Sequence, residues 1–231
     1  MISVIIPTLN AQSELPATLS ALVPGVVSGV IRDVIIVDGG STDKTLAVAD
    51  AAGATLLMSE PGRGRQLSEG AEVARGSWLL FLHADTVLET GWDQEVGAFM
   101  DRIDCGVRPE AAAAFRFALD DLGFLPRVIE AGVSMRCTLF RMPYGDQGLL
   151  IPRRLYGSVG GYKPLDLMED VDLMRRLGRA RTIILRSRAI TSAIRYRRDG
   201  YMKRVARNWI CLLMYYFRLP NSYIARFYGL R

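Results

Sequence analysis

The chain has 231 residues, of which 50% are hydrophobic and 23% charged; this is enough apolar content to bury a substantial core in one medium domain and too much for a disordered chain. Its three cysteines, Cys105, Cys137 and Cys211, lie far apart without a CxxC pair, which argues against a disulfide framework or a thiolate zinc site and fits reduced thiols in the cytoplasm. The formal net charge of +5 is unevenly placed: residues 195–231 hold nine Lys or Arg (195, 197, 198, 203, 204, 207, 218, 226 and 231) against one acid, Asp199, so the basic excess belongs to the tail.

The opening run Ser3-Val4-Ile5-Ile6 predicts a buried strand, stopped by Pro7 and the polar Thr8-Leu9-Asn10. No basic region precedes it, and Asn10, Gln12, Ser13 and Glu14 follow at once, so no secretory leader is expected. Residues 14–22 predict a helix. Residues 34–37 predict a second strand, leading into Asp38-Gly39-Gly40-Ser41-Thr42-Asp43, where Ser41 or Thr42 is placed to cap a helix over 44–52. A third strand is expected over 55–58. Gly62-Arg63-Gly64-Arg65 then reads as a flexible cationic loop ahead of a helix over 66–74. A fourth strand over 77–82 ends at His83-Ala84-Asp85-Thr86, and residues 92–100 are helical again. Strand–helix alternation with continuous apolar strands indicates an α/β fold, a mainly parallel sheet flanked by helices. Ligands of such sheets bind beyond the carboxyl ends of the strands, which gathers Thr8-Leu9-Asn10, residues 38–43, 62–66 and 83–86 at one rim.

Further on, residues 113–119 predict a strand and 122–134 a helix. A polar turn, Tyr144-Gly145-Asp146-Gln147-Gly148, precedes the apolar Leu149-Leu150-Ile151, and Met168-Glu169-Asp170 stands ahead of a helix over 171–177. In the tail Met202, Val205, Ala206, Trp209, Leu212, Leu213 and Tyr216 recur at helical spacing, opposite Lys203, Arg204, Arg207 and Asn208. Such a helix either lies on an anionic membrane surface or packs its stripe on the domain or a second copy. Its aromatics share the apolar face instead of interleaving with the basic one, so nucleic acid is not an expected partner. No apolar run reaches the roughly 18 residues that span a bilayer. The expected organisation is a domain over 1–199 and a basic amphipathic helical tail over 200–231.

Asp38 ends the second strand, Asp85 closes the fourth and Asp170 opens a later helix. A lone carboxylate in such a place is a common turn or cap residue; three converging on one rim point to a ligand site. The runs Ser3-Val4-Ile5-Ile6-Pro7-Thr8-Leu9-Asn10, Val37-Asp38-Gly39-Gly40-Ser41-Thr42-Asp43 and Phe81-Leu82-His83-Ala84-Asp85-Thr86, followed by Glu169-Asp170-Val171-Asp172-Leu173, resemble in order the motifs of the family 2 glycosyltransferases, over about residues 1–190.

The resemblance implies the GT-A fold, a nucleotide-diphospho-sugar transferase architecture. It also implies an activity: inverting transfer of a single sugar from a nucleoside-diphosphate donor, most simply a UDP-sugar, to an acceptor hydroxyl. Asp85 becomes the ligand of a divalent cation, Mn²⁺ or Mg²⁺, that neutralises the leaving diphosphate; the family's usual Asp-x-Asp reads His83-Ala84-Asp85 here. His83 and Ala84 then sit beside the donor, His83 meeting ribose, a phosphate oxygen or the metal, or simply hydrogen-bonded at the strand end. Pro7, Thr8, Asn10 (commonly Glu in the family) and Asp38 line the base pocket, with Asp38 accepting a hydrogen bond from the base. Gly64 and Arg65 approach the base or diphosphate. Asp170 is the implied general base and Glu169 orients it or holds the acceptor, although both also suit the positive end of the helix that follows. Asp146 and Gln147 suit the acceptor side. The Gln-x-x-Arg-Trp motif of the processive synthases is absent, so one sugar per acceptor is expected. The tail adds a lipid-linked acceptor, contact with the inner face of a membrane, or a homodimer. Two rival readings are a non-catalytic nucleotide-sugar-binding protein and a nucleotidyltransferase; against the second, Thr8-Leu9-Asn10 stands where a Gly-rich, Lys-containing loop belongs.

Overall fold

In the structure, a computed structural model describing residues 1–229, the opening apolar run becomes the central strand β1 (Ile2–Thr8). Ile2, Val4, Ile5 and Ile6 have no exposed surface. The reason is that helices cover both faces of the sheet, and side chains of a strand alternate between them. Val4 and Ile6 pack with Leu15 and Leu22 of α1 (Leu15–Val27) and with Trp92, Val96 and Phe99 of α4 (Trp92–Asp104). Ile5 packs on the other face with Leu67 and Ala71 of α3 (Arg63–Val73), and with Leu173 and Leu177 of α7 (Glu169–Leu177).

β1 pairs in parallel with β2 (Ile31–Asp38) on one side and β4 (Trp78–Phe81) on the other, and β2 pairs in parallel with β3 (Thr55–Met58). The complete order is β3-β2-β1-β4-β7-β6-β8-β5, completed by β5 (Thr86–Leu88), β6 (Ala112–Leu119), β7 (Leu149–Pro152) and β8 (Thr182–Thr191). β7 runs antiparallel between β4 and β6, and β5 antiparallel on β8. The sheet is therefore parallel in its first half, as expected, and mixed in its second. The chain winds outward from β1 to β3 and then returns to β4 on β1's other side. That reversal opens a crevice at the carboxyl ends of β1 and β4, where Thr8 and His83 emerge.

One expectation changes, two elements go unannounced in the sequence, and the tail acquires a definite placement. Gly62-Arg63-Gly64-Arg65 is not a loop: Arg63 starts α3, directly after Gly62 at φ +151°. β8 and the short α6 (Arg153–Ser158) carry no clear local signal; Arg186 and Arg188 interrupt β8's apolar run, and the strand is set by pairing with the distant β6 and β5. The tail, finally, is tied to the domain. α8 (Ile194–Asp199) ends the expected domain, and the tail from residue 200 comprises α9 (Tyr201–Tyr216) and α10 (Asn221–Tyr228), with Arg231 outside the described residues. Asn221 clasps the loop ahead of α7, its side-chain carbonyl accepting from the Asp166 and Leu167 amides and its amide donating to the Leu167 carbonyl at 2.7 Å. Among the described residues, α9's apolar stripe packs on the domain only through Val205, against Phe117, Leu119 and Tyr196; Met202, Trp209, Leu213 and Tyr216 are exposed, while Arg204 and Arg207 turn inward. Those two arginines share Asp199 and stack over Tyr196 and Tyr228 at 4.9 and 4.7 Å, partners that solvent does not offer a guanidinium.

Candidate active site

The rim loops after β1 and β2 are held by one carboxylate. Asp38 has no exposed surface and accepts four hydrogen bonds: from the Thr8 and Ser41 hydroxyls at Oδ1 (2.8 and 2.6 Å), and from the Gly40 and Ser41 amides at Oδ2 (2.9 and 2.7 Å). Burial pushes its carboxyl up, but the Ser41 hydroxyl and amide, with Thr8 and Gly40, outweigh it and hold the pKa below the usual value. Asn10 stands at φ +52°, a left-handed conformation that Asn tolerates better than most residues. There its side-chain oxygen accepts from the Thr42 amide at 2.9 Å and its own amide donates to Ser41. Beneath both loops the buried Gln66 donates to the carbonyls of Thr8 and Val37 at 2.9 and 2.8 Å, tying the ends of β1 and β2 together.

His83, Ala84 and Asp85 follow β4. The Ala84 carbonyl is fixed by the Thr18 hydroxyl at 2.8 Å, and the Asp85 carbonyl by the Ser192 amide at 3.0 Å. Arg195 of α8 approaches the Asp85 carboxylate to 3.8 Å. Burial, reinforced by the Arg63 guanidinium, lowers the His83 pKa to about 4 against the pull of Asp85 and Asp170, so the imidazole is neutral at physiological pH.

On the far side of the crevice, Met168 precedes α7 at φ +63°, a strained conformation for a long side chain. It directs Glu169 inward. Glu169 is buried beside Arg63, with Nη1 to Oε1 3.6 Å, and burial raises its carboxyl to about 7 although Arg63 opposes the shift. Asp170 accepts from the Gly145 amide and from the Val171 amide, both at 2.7 Å. A Cβ at position 145 would lie 2.8 Å from His83 Nε2 and 3.4 Å from Asp170 Oδ2, so a side chain there would displace the imidazole; the spacing also shows how closely these two groups converge. Asp146 follows. Its Oδ1 is buried without a partner, and burial, opposed by Arg136 and aided by Asp170 and Asp85, lifts its carboxyl to about 6. Arg136 lies flat over the Tyr144 ring, 3.6 Å from the centroid.

Strand ends from both halves of the sheet thus bring Asp85, Glu169, Asp170 and Asp146 into one crevice with Arg63, Arg195 and His83. The model of glycosyl transferase family 2 matches residues 3–118, half of the chain. The chain belongs to this family. Among curated family relatives, the "PGL/p-HBAD biosynthesis glycosyltransferase" of Mycobacterium bovis (strain BCG / Pasteur 1173P2) is 38% identical over 170 residues, 70% of this chain and 63% of that protein. The chain therefore spans slightly less than two thirds of that relative's length. Glucosyl-3-phosphoglycerate synthase of Mycobacterium tuberculosis, solved with Mn²⁺, UDP and glucosyl-3-phosphoglycerate, superposes with a TM-score of 0.62 over 95% of this chain and 81% of that one at 21% identity. S. aureus TarS 1-349 gives 0.60 over 98% and 69% at 18% identity. Both show the GT-A fold of the α/β sheet; at such identities they show the fold alone.

The crevice brings Asp85, Asp170, Glu169, His83, Ala84 and Asp146 together. Thr8, Pro7, Asn10 and Asp38 form its floor and one wall, but Asp38 is the wall's organiser: all four of its acceptor positions are taken, so a base would reach it only by displacing Ser41 or a backbone amide. Arg65 is misplaced by the loop reading. On a helix, residues two apart point roughly 200° from each other, and it is Arg63 that faces Glu169 while Arg65 pairs outward with Glu60. Gly64 is a packing residue, since a Cβ there would lie 2.3 Å from the Lys163 carbonyl oxygen. Gln147 is buried away from the crevice, donating to the Phe115 carbonyl and accepting from Cys137 and Arg136. Glu169 anchors Arg63 and does not touch Asp170's side chain among the described contacts. Within the 62–66 segment the sequence singles out neither Arg63 nor Gln66, and Arg195 reads only as tail charge.

Among the described residues no three His, Cys, Asp or Glu side chains are placed to hold a metal. Asp85 with a neutral His83 beside it fits a divalent cation that takes one or two protein ligands and completes its shell with phosphate oxygens and water; it does not fit an all-protein cage.

Proposed function

We propose that this chain transfers one sugar from a nucleoside-diphosphate donor, a UDP-sugar, to an acceptor hydroxyl with inversion, assisted by a divalent cation. The convergence of Asp85, Asp170 and Arg63 on the crevice where β1 and β4 diverge carries this reading. A UDP moiety fits against the loops braced by Asp38 and Asn10. Arg63, held in place by buried Glu169, and Arg195, now resting near Asp85, offer fixed positive charge to the diphosphate. Asp85 and His83 would hold a divalent cation, which would supply the remaining positive charge for the leaving diphosphate. Asp170 takes the acceptor's proton: its two backbone hydrogen bonds fix the carboxylate plane and leave other lone pairs open to the crevice. Half-buried Asp146 completes the acceptor side. A lipid-linked acceptor and a peripheral position on the inner, cytoplasmic face of a membrane belong to the same proposal. They are supported by the exposed stripe of α9; no helix of the described residues is long and apolar enough to cross a membrane.

Calorimetric titration of UDP and of GDP, each with and without Mn²⁺, tests the donor site. UDP binding that requires Mn²⁺ and disappears in Asp85→Ala is the expected result. Absence of binding by either nucleotide under every metal condition overturns the proposal in favour of a protein that keeps the fold without the site.

A further inference from the structure

Helix α5 (Phe124–Phe140) and α9 lie side by side. At one end the Tyr201 hydroxyl donates to Asp121, just ahead of α5, at 2.5 Å; at the other the Tyr216 hydroxyl meets the sulfur of Met142, just past α5, at 3.6 Å. Between these points Ile129 and Val133 of α5 close with Tyr201 and Val205 of α9 over Phe117, Leu119 and Tyr196. With those inner faces used, what remains to solvent is the outer surface of the two helices. On α5 it presents Phe124 (81% exposed), Val128, Met135 and Leu139. On α9 it presents Met202, Trp209 (57% exposed), Leu213 and Tyr216. Large apolar side chains this dense on a monomer's surface mark a binding face.

The charges around it select the partner. α9 and α10 contain no Asp or Glu. The one acid of α5, Glu130, turns inward, accepting from the Leu119 amide and pairing with Arg127. Asp199, ahead of α9, is met by Arg198, Arg204 and Arg207. Lys203, Arg218 and Arg226 are left exposed. A second copy docked face to face about a two-fold axis would set this cationic fringe largely against itself, since the acids at its edge are Asp120 and Asp121 ahead of α5, and Asp121 is already met by Arg197 and Tyr201. An anionic bilayer offers both an apolar interior for the stripe and negative headgroups for the fringe, and Trp and Tyr favour that boundary.

We propose that the joint outer face of α5 and α9 docks this protein onto an anionic lipid surface. This deepens the membrane reading of the tail, which rests on the glycosyltransferase proposal only for its consequence. The end of α5 adjoins the acceptor side of the crevice, where Arg136 covers Tyr144, the residue before Gly145 and Asp146. A docked molecule would therefore meet an amphipathic acceptor at the headgroup layer.

Trp209 is a built-in probe, since the other tryptophans, Trp78 and Trp92, are buried. Vesicles of phosphatidylcholine with phosphatidylglycerol should shift its emission to the blue, and brominated acyl chains should quench it. Binding should weaken by about tenfold or more on pure phosphatidylcholine or in high salt. Leu139→Glu and Val128→Glu lie on the other helix, at exposed positions that leave the fold intact by thermal melting. Each should abolish the quenching of Trp209 while Mn²⁺-dependent UDP binding in solution persists. Trp209 emission that ignores vesicles overturns the proposal. So does emission already blue without lipid in a protein that light scattering shows to be a dimer, which assigns the face to a second copy. Loss of UDP binding with vesicle binding retained would sink the catalytic reading and leave the docking surface standing.

Discussion

Replacement of Asp38 tests the account of the donor-side wall through stability. In Asp38→Asn the amide oxygen can take the place of Oδ2 and keep the Gly40 and Ser41 amides as donors, while the new NH₂ points at the Thr8 and Ser41 hydroxyls, which can turn to accept. Every position stays filled. What is lost is the charge that strengthens these bonds, roughly half of each backbone bond, so a cost of about 1–2 kcal/mol is expected. Asp38→Ala removes the acceptor altogether. It leaves two backbone amides and two hydroxyls without their partner, together with a void, at about 1–2 kcal/mol per amide; the lower part of the usual range applies because Gly40 is exposed and water reaches it. The alanine variant should thus lose about 3–4 kcal/mol. Urea unfolding followed by the buried Trp78 and Trp92 measures both. The sign with pH follows from the lowered carboxyl pKa: Asp38's advantage over Asn is fully present above its unfolded value of 3.8 and is lost as pH falls through the lower folded value. An alanine variant no less stable than the asparagine one, or an Asp–Asn difference that persists unchanged into strong acid, would refute this reasoning.

Two further outcomes follow from the crevice. His83 is the only histidine, so its imidazole proton resonance can be followed without assignment in metal-free buffer. It should titrate near pH 4, with the folded state losing stability between pH 6.5 and 4 as the unfolded chain alone takes up the proton; a midpoint near 6.5 would refute the neutral imidazole. Arg195→Ala removes the cation beside Asp85 and should change two affinities in opposite directions, tightening Mn²⁺ alone and weakening UDP. Calorimetry showing both unchanged would remove Arg195 from the site.

Much of the parallel half was legible in the sequence because each of its units announces itself locally. β1, β2 and β4 are continuous apolar runs ended by polar turns, and those turns carry Thr8, Asp38 and Asp85 to the same rim. β8 was not legible, because arginines break its apolar pattern and its strand character comes from pairing with β6 and β5. The Gly62–Arg65 segment misled for a related reason: glycines read as a loop, but Gly64 lets α3 press against the backbone at Lys163 and Leu165, a contact invisible along the chain.

The sequence by itself determined the α/β class, the family resemblance and the carboxylates of the crevice, since these rest on residue types and spacings within single strand–turn–helix units. Tertiary structure alone decided which arginines accompany them. Arg63 meets Glu169 only once α3 and α7 pack on the same face of the sheet, and Arg195 reaches Asp85 only because β8 carries α8 back to β5. It also decided which side of α9 looks outward. Periodicity separates an apolar stripe from a basic one, but the direction in which each points depends on what lies beneath, and here Asp199, Tyr196 and Tyr228 draw the arginines in and leave most of the stripe outside.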